Sequence, residues 1–173
     1  IHGCLVGSEM CIRDSTTPDQ SFIARILQMA KVKGANYALL EVSSHSIVQK
    51  RIKNLAFNVF CFTNLSQDHL DYHKDMETYF HAKLSILDML RLDTNIIVNI
   101  DDEYGKIFLA KAKDKGFKIE TIGLSDKADV RLRITKGTPD IQFIEIIRGK
   151  FFYAFQTHLI CLLYTSDAAD EWI

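Results

Sequence analysis

Short apolar segments that alternate with helical segments constrain the fold of this chain more than any other feature. Glycines at positions 34 and 116 follow two of the helical runs, as expected for helix ends. This alternation indicates a parallel β-sheet covered on both faces by helices. We predict strands at 36–42, 57–65, 95–100 and 117–123, a helix after Thr17, and helices over 75–91 and 102–115.

The first helix has a clear start signal in "TTPDQ". We predict Thr17 as the N-cap residue, Pro18 at the first helical position, and Gln20 as the partner that completes a capping box. Apolar residues then recur at helical spacing as far as Gly34, which is typical of a helix with one buried face.

The pattern changes after about Asp129, where three strand-like segments follow one another without helices. "VRLRI", "IQFIEII" and "FFYAF" are separated by "TKGTPD" and "RGK", which carry turn signals. We therefore predict an α/β fold: a parallel sheet with flanking helices, plus a small antiparallel β meander near the C-terminal end.

Composition excludes several functional classes. The net charge is −1, which implies no general attraction to nucleic acid or to an anionic membrane surface. No apolar run approaches the roughly 20 residues that span a bilayer. The four cysteines form no close pair and no metal-type spacing, which favours a reducing, cytoplasmic setting.

The two ends differ from the strongly patterned middle. "GSEMCIRDS" and "CLLYTSDAADE" resemble translated sequencing-adapter read-through, and the alternative is ordinary terminal segments. We expect residues 1–15 and 161–173 to be non-native tails, and residues 16–160 to be the native domain fragment.

Polar residues follow three of the predicted strands at their carboxyl ends, where open α/β sheets bind ligands. Glu41 precedes "VSSH", Thr63 and Asn64 precede "LSQDH", and Asn99 precedes "IDDE". Each segment alone could be an ordinary polar loop, but together they favour a site. Glu41 is a possible hard oxygen ligand for Mg²⁺, or a carboxylate that only faces solvent.

The stretch "NLSQDHLDYHKDM" concentrates possible metal ligands in one loop. A metal site and a polar turn between a strand and a helix are both compatible with it. If the loop binds metal, His69 is the best-placed candidate, because it lies just past the predicted strand that ends at Asn64, and Asp68 would brace the loop or the histidine. We expect Asp71 and His73 to shape the turn, and Asp75 to begin the next helix.

Lys83 lies in the middle of a predicted helix among apolar neighbours. Tyr79, Phe80, Ile86 and Leu87 occupy the positions three and four residues away from it. The side chain could snorkel, with its charge in water. Partial desolvation instead favours the neutral amine, which could react with CO₂ to give an anionic carbamate.

Four motifs together resemble the central ATP-binding domain of the Mur ligase family. They are "TTPD", "EVSSHSIVQKRI", "FTNLSQDHLDYHKDMETYFHAKLSIL" and "VNIDDEYG", and the resemblance covers about residues 16–160. The "EVSSH" form is most similar to the UDP-N-acetylmuramoyl-tripeptide synthetase (MurE) branch. The resemblance implies a cytoplasmic enzyme of peptidoglycan precursor synthesis, a monomer when full length, that uses ATP and Mg²⁺. Its implied substrates are UDP-MurNAc-L-Ala-D-Glu and either meso-diaminopimelate or L-lysine.

The resemblance also implies roles for individual residues. Glu41 and His69 would be catalytic and associated with Mg²⁺, and Lys83 would be the catalytic lysine whose carbamate contributes to the metal site. The implied substrate-binding residues are Thr16, Thr17, Ser43, Gln49 and Arg51. The nucleotide side would comprise Asn64, Asn99, Asp101 and Asp102.

One family feature does not occur in these 173 residues. The glycine-rich phosphate loop ending in Gly-Lys-Thr or Gly-Lys-Ser is not in the sequence. We therefore expect the chain as given to be inactive in ligation. Two alternatives stay open: another ligase of the superfamily, of folylpolyglutamate or cyanophycin type, and a non-catalytic nucleotide- or metal-binding module. The gene sequence upstream of Thr16 would separate them.

Overall fold

The computed structural model describes residues 17–66, 73–138 and 141–157, with the side chains of 135–138 left out. These residues belong to two compact units. The first unit comprises the described residues up to Ala56 and those from 73 to Leu90. The second comprises Phe57–Ser66 and the described residues from Arg91 onward.

The first unit is helical. Its elements are α1 (Gln20–Val32), α2 (Ser44–Val48), α3 (Met76–Leu84) and a 3-10 helix, Ser85–Asp88.

Helix α1 begins two residues later than predicted. Asp19, not Thr17, is the N-cap, and its carboxylate accepts a hydrogen bond from the Phe22 amide at 3.0 Å. Gln20 does not complete a capping box, because its side-chain amide donates to the Lys53 carbonyl at 2.6 Å. Aspartate caps helices as well as threonine does, so a Thr-Pro-Asp sequence offers two competing starts. The predicted end is confirmed, since Gly34 follows the helix with a φ of 82°.

The predicted strand at 36–42 is wrong. The segment is extended but joins no described strand, and Tyr37 and Leu39 are 92% and 84% exposed. An apolar run of this length identifies a strand only when a neighbouring strand accepts its backbone hydrogen bonds.

Helix α3 begins as predicted and ends earlier than predicted. Asp75 is its N-cap and accepts a hydrogen bond from the Thr78 amide at 2.7 Å. The α-helical geometry stops at Leu84 rather than near Arg91 and gives way to the 3-10 turn. Ser85 donates to the Ala82 carbonyl at 2.8 Å, and such bonds compete with regular helical pairing.

In the described part of the second unit, six strands form one sheet in the order β1-β2-β3-β4-β5-β6. The first four strands run parallel and the last three form an antiparallel meander. The predicted α/β class with a parallel sheet and an appended meander is therefore confirmed, and the meander continues the same sheet. The strands are Val59–Phe62, Asn95–Asn99, Lys118–Gly123, Val130–Thr138, Ile141–Arg148 and Phe151–Thr157.

Helix α4 (Glu103–Asp114) covers one face of the parallel strands and packs on β2 and β3. Phe108 of this helix is fully buried, and its ring stacks on Phe62 with the ring centroids 4.6 Å apart. Ile96 and Val98 of β2 are fully buried as well. No helix within the described ranges is long and apolar enough to cross a membrane.

Candidate functional site

A buried hydroxyl joins three of the predicted site residues in the first unit. Thr17 is 0% exposed, and its Oγ1 donates to the Glu41 carbonyl at 2.9 Å. The same oxygen accepts a hydrogen bond from the Ser43 amide at 3.1 Å and lies 3.3 Å from Ser43 Oγ. Thr17 therefore fixes the backbone of the segment that carries Glu41, while Glu41 itself is exposed.

Arg51 extends this network. Its Nη1 donates to the Thr17 carbonyl at 2.6 Å and its Nε donates to Gln49 Oε1 at 2.8 Å. These bonds orient the planar guanidinium, a group suited to bidentate contact with a carboxylate or a phosphate. Four of the predicted substrate-binding residues, Thr17, Ser43, Gln49 and Arg51, are thus connected by hydrogen bonds within one unit.

Serines shape the "VSSHS" segment. Ser43 is the N-cap of α2 and accepts from the Ser46 amide at 3.3 Å, while Ser46 Oγ donates to the Ser43 carbonyl at 2.6 Å. Ser44 and Ser46 are buried. Helix α2 therefore begins directly after Ser43, where the hydroxyls of Ser43 and Ser46 bond backbone groups of its first turn.

A second cluster in the same unit surrounds His73. This histidine is 3% exposed, and its Nε2 lies 2.7 Å from Ser44 Oγ. Its ring stacks on Tyr79, with centroids 5.0 Å apart and planes 24° apart. The Nζ of Lys83 lies 4.9 Å from the centroid of the same Tyr79 ring.

His73 was not predicted to have this position, since the sequence indicated only a turn-shaping role. The sequence did contain a pattern that favours contact between His73 and Tyr79. His73 precedes the N-cap Asp75 by two residues, and Tyr79 is the fourth helical residue, which resembles a hydrophobic staple.

Lys83 is half-buried, as its apolar neighbours predicted. The faces of aromatic rings attract cations, so the Tyr79 contact gives the lysine nitrogen a defined location on α3.

In the second unit, three predicted nucleotide-side residues lie at the carboxyl end of β2. Asn99 is buried and its Oδ1 accepts from the Asp101 amide at 3.0 Å. Asp101 Oδ2 accepts from the Leu124 amide at 2.7 Å. Asp102 is the N-cap of α4 and accepts from the Gly105 amide at 2.8 Å. Both carboxylates thus accept hydrogen bonds from backbone amides, and a contact with a nucleotide would be an additional role for each.

Asn64 follows β1 in this unit and is half-buried. Its Oδ1 accepts a hydrogen bond from the Thr63 hydroxyl at 3.3 Å. The next amide, that of Leu65, lies 3.5 Å from Asp102 Oδ2. The carboxyl ends of β1 and β2 therefore bring Asn64 and Asp102 to one edge of the sheet. Glu41 was predicted to join them there at the end of a third strand, but it follows no described strand.

An open cleft of about 750 Å³ lies beside Asp101, between α4 and the 124–129 loop. Lys106, Lys113 and Lys127 contribute positive charge to its lining, and Asp101 and Asp129 contribute negative charge. The hydroxyl and the amide of Thr121 donate to the Asp129 carboxylate at 2.7 and 2.8 Å. These bonds hold the pKa of Asp129 below its usual value.

The predicted metal site is only partly within the described residues. His69 and Thr16 lie outside them, as do Asp68 and Asp71. Among the residues that are described, no group of three or more His, Cys, Asp or Glu side chains could hold a metal ion. Glu41 offers the oxygen donor that Mg²⁺ prefers, and Lys83 would offer one only as a carbamate. By donor chemistry these residues fit the ion, and the site stays a prediction.

Comparison with known proteins identifies the family. The profile of the Mur ligase middle domain matches residues 3–161. This chain belongs to the Mur ligase middle-domain family. It is 39% identical over 121 residues to a Bacteroides fragilis UDP-N-acetylmuramoyl-L-alanyl-D-glutamate–2,6-diaminopimelate ligase, covering 70% of this chain and 25% of that protein. The Clostridium tetani protein of the same name is 36% identical over 140 residues, covering 80% and 28%.

Solved structures of Mur ligases share the fold. A UDP-N-acetylmuramoyl-L-alanyl-D-glutamate–2,6-diaminopimelate ligase matches 90% of this chain and 33% of its own, with a TM-score of 0.74 and 24% identity. A UDP-N-acetylmuramoylalanyl-D-glutamyl-2,6-diaminopimelate–D-alanyl-D-alanyl ligase from Acinetobacter baumannii matches 80% and 30%, with a TM-score of 0.61 and 15% identity. The chain spans about a quarter of the length of the curated relatives it matches.

Proposed function

We propose that this chain is the central part of an ATP-dependent amide ligase of peptidoglycan precursor synthesis. The ligase would join a diamino acid to UDP-MurNAc-L-Ala-D-Glu. Support comes from relatives that carry the name of this ligase at 39% and 36% identity. Their names favour 2,6-diaminopimelate over L-lysine as the added amino acid.

In the proposed reaction, the γ-phosphoryl group of ATP passes to the D-Glu carboxylate, and ADP leaves. The amine of the diamino acid then attacks the acyl phosphate, an amide bond forms, and phosphate leaves. Such transfers depend on positioning the reactants and on neutralising charge on the phosphoryl oxygens. The protein must therefore hold a carboxylate substrate and a nucleotide in fixed positions.

The observation that carries the proposal is the network joining Thr17, Glu41, Ser43 and Arg51. It presents an oriented guanidinium and a fixed Ser43 beside an exposed carboxylate, in a unit that also contains Lys83. In this proposal Arg51, Ser43 and Gln49 bind the anionic substrate together with Thr16. The buried Thr17 serves binding indirectly, by holding the Glu41–Ser43 backbone.

Glu41, His69 and a carbamate on Lys83 would hold Mg²⁺ in the complete site. The ion, when bound, would offset the negative charge of the phosphoryl oxygens. On the nucleotide side, Asn64, Asn99, Asp101 and Asp102 lie at the carboxyl ends of β1 and β2. In open α/β sheets that edge is where ligands bind, and the lysine-lined cleft beside Asp101 adds positive charge nearby.

The test uses isothermal titration calorimetry to measure the affinity of the chain for UDP-MurNAc-L-Ala-D-Glu. Replacement Arg51→Lys keeps the charge but removes the planar fork, and we expect it to weaken binding about tenfold, as for loss of a charge-assisted hydrogen bond. The matched control is Arg25→Lys, because Arg25 is an exposed arginine of α1 whose guanidinium lies 5.2 Å above the Phe22 ring. Equal affinities for the Arg51→Lys variant and the parent would contradict the proposed substrate site.

A further inference from the structure

His73 connects two segments that carry predicted site residues. On one side its Nε2 lies 2.7 Å from the hydroxyl of Ser44, which directly follows Ser43. On the other side its ring stacks on Tyr79 of α3. All four of these residues belong to the first unit.

The contact with Ser44 acts on the segment that begins at Glu41. Ser44 is fully buried and is the first residue of α2. Its neighbour Ser43 is bonded through its amide to Thr17, which in turn bonds the Glu41 carbonyl. The Glu41–Ser44 segment is thus bonded to Thr17 at Glu41 and Ser43 and to His73 at Ser44. It resists displacement, because breaking any of these bonds leaves a buried donor or acceptor unsatisfied.

The contact with Tyr79 acts on Lys83. The two residues are one helical turn apart on α3, and the lysine Nζ lies 4.9 Å from the ring centroid. A lysine side chain has many rotamers of similar energy, so its nitrogen has a defined position only when neighbouring groups restrict it. The Tyr79 ring supplies that restriction, and the stacked, buried His73 ring restricts Tyr79 in turn.

We propose that His73 is a positioning residue that fixes the Lys83 nitrogen relative to the Glu41–Ser44 segment, through the Ser44 hydroxyl and the Tyr79 ring. Its functional meaning rests on the role proposed above for Lys83. The juxtaposition is independent of that role. Of the polar residues in the 64–76 stretch, His73 would then act on the site from inside the protein without touching substrate.

The test measures the position of Lys83 directly. The full chain is labelled with ¹³C at the lysine ε-carbons, and a Lys83→Arg variant assigns the Lys83 signal. Stacking above an aromatic ring moves the ε-methylene protons of a lysine upfield. The upfield shift is then compared among the parent, Ser44→Ala and His73→Phe. Ser44→Ala deletes one hydroxyl, and His73→Phe keeps a ring against Tyr79 but removes both nitrogens.

The matched control is His81→Phe, since His81 lies on the same helix but its side chain is 64% exposed. We expect the parent and His81→Phe to share the upfield shift, and Ser44→Ala and His73→Phe to lose most of it. Loss of one buried hydrogen bond corresponds to about a tenfold change in the ratio of ordered to other conformations. Ser44→Ala carries the test if His73→Phe does not fold, and the amide spectrum of α1, which belongs to the same unit as His73, reports folding.

An unchanged shift in folded Ser44→Ala would overturn the proposal, even if that variant melts at a lower temperature, because a purely structural role lowers stability without moving Lys83. A second measurement keeps the proposed function separate. In ¹³C-bicarbonate, a carbamate signal that disappears in Lys83→Arg supports the role of Lys83. A parent with the upfield shift but no carbamate signal would count against that role and leave the positioning by His73 supported.

Discussion

Gly105 allows helix α4 to begin directly against the end of β2. A Cβ atom added at this position would lie 2.0 Å from the Asn99 carbonyl oxygen and 3.2 Å from its carbonyl carbon. Both are backbone atoms, so no side-chain rotation relieves the clash. To reach even 3.0 Å from the oxygen, the first turn of α4 would have to retreat by about 1 Å, a strain typical of overpacked sites.

The magnitude follows from three contributions. Replacing glycine by alanine inside an unstrained helix stabilises it by about 1 kcal/mol. In Gly105→Ala this gain is opposed by about 1–3 kcal/mol for overpacking and about 1 kcal/mol for weakening the 2.8 Å bond from the Gly105 amide to the Asp102 cap. We therefore expect a net loss of about 1–3 kcal/mol in the free energy of unfolding.

Urea unfolding followed by circular dichroism measures this change. Lys111 is an exposed position of α4, and comparing Lys111→Gly with Lys111→Ala gives the ordinary helix preference in the same element. A Gly105→Ala variant that is as stable as the parent, or more stable, would refute the close approach of α4 to Asn99.

Three further outcomes are expected. Phe108→Ala should lower the free energy of unfolding by about 3–5 kcal/mol, because it removes a fully buried ring and leaves a cavity. Phe108→Leu should cost less, because leucine fills part of that cavity. Similar losses for the two variants in urea unfolding would contradict this. Asp129→Asn should destabilise the chain at pH 7. The pKa of Asp129 is lowered by the Thr121 hydrogen bonds, so its contribution is complete above the unfolded pKa of about 3.9 and is lost as the pH falls through the lower folded value. The stability difference between parent and variant should therefore shrink below about pH 4, and a constant difference would exclude this cause. The chain itself should release no ADP in a ligation assay, because its sequence contains no Gly-Lys-Thr or Gly-Lys-Ser loop, and substrate-dependent release would contradict that expectation.

Local signals in the sequence were sufficient where neighbouring residues alone decide the structure. Asp75 caps its helix as predicted, and Gly34 ends α1, because each capping bond reaches only a few residues along the chain. The parallel strands around β2 were predictable for a related reason. In β2 the residues from Ile96 to Val98 form a continuous apolar run, and each of these side chains is buried or half-buried.

Features that depend on distant partners could not be predicted in the same way. The 36–42 segment has a strand-like composition, but strand formation needs a pairing partner that composition does not reveal. The sequence predicted Thr17 as a helix cap, but its buried hydroxyl instead donates a hydrogen bond to the carbonyl of Glu41, 24 residues away. The sequence predicted His73 as a turn residue, but its buried ring forms a hydrogen bond with the hydroxyl of Ser44, 29 residues away. In both cases a short polar side chain had a local use and a long-range one, and tertiary structure selected the second.

The candidate site was predictable to the extent that its residues follow elements in sequence. Asn99 was expected at the end of the strand at 95–100, and it is the last residue of β2, with Asp101 and Asp102 directly after it; their nucleotide-binding role stays a prediction. The choice of Thr17, Ser43 and Arg51 as substrate-binding residues came from the family resemblance, and their connection by hydrogen bonds was not predicted. Its physical basis, a buried hydroxyl that joins two loops, is visible only in the structure.

The central claim is that the Thr17–Arg51 network binds the muramoyl dipeptide substrate, and mapping of amide chemical shifts tests it most directly. The ¹⁵N-labelled chain is titrated with UDP-MurNAc-L-Ala-D-Glu and, separately, with a folyl-diglutamate. We predict saturable shifts of the Ser43, Gln49 and Arg51 amides with the muramoyl ligand and none with the folyl ligand. Shifts at these amides with the folyl ligand alone, or no shifts with either, would contradict the account.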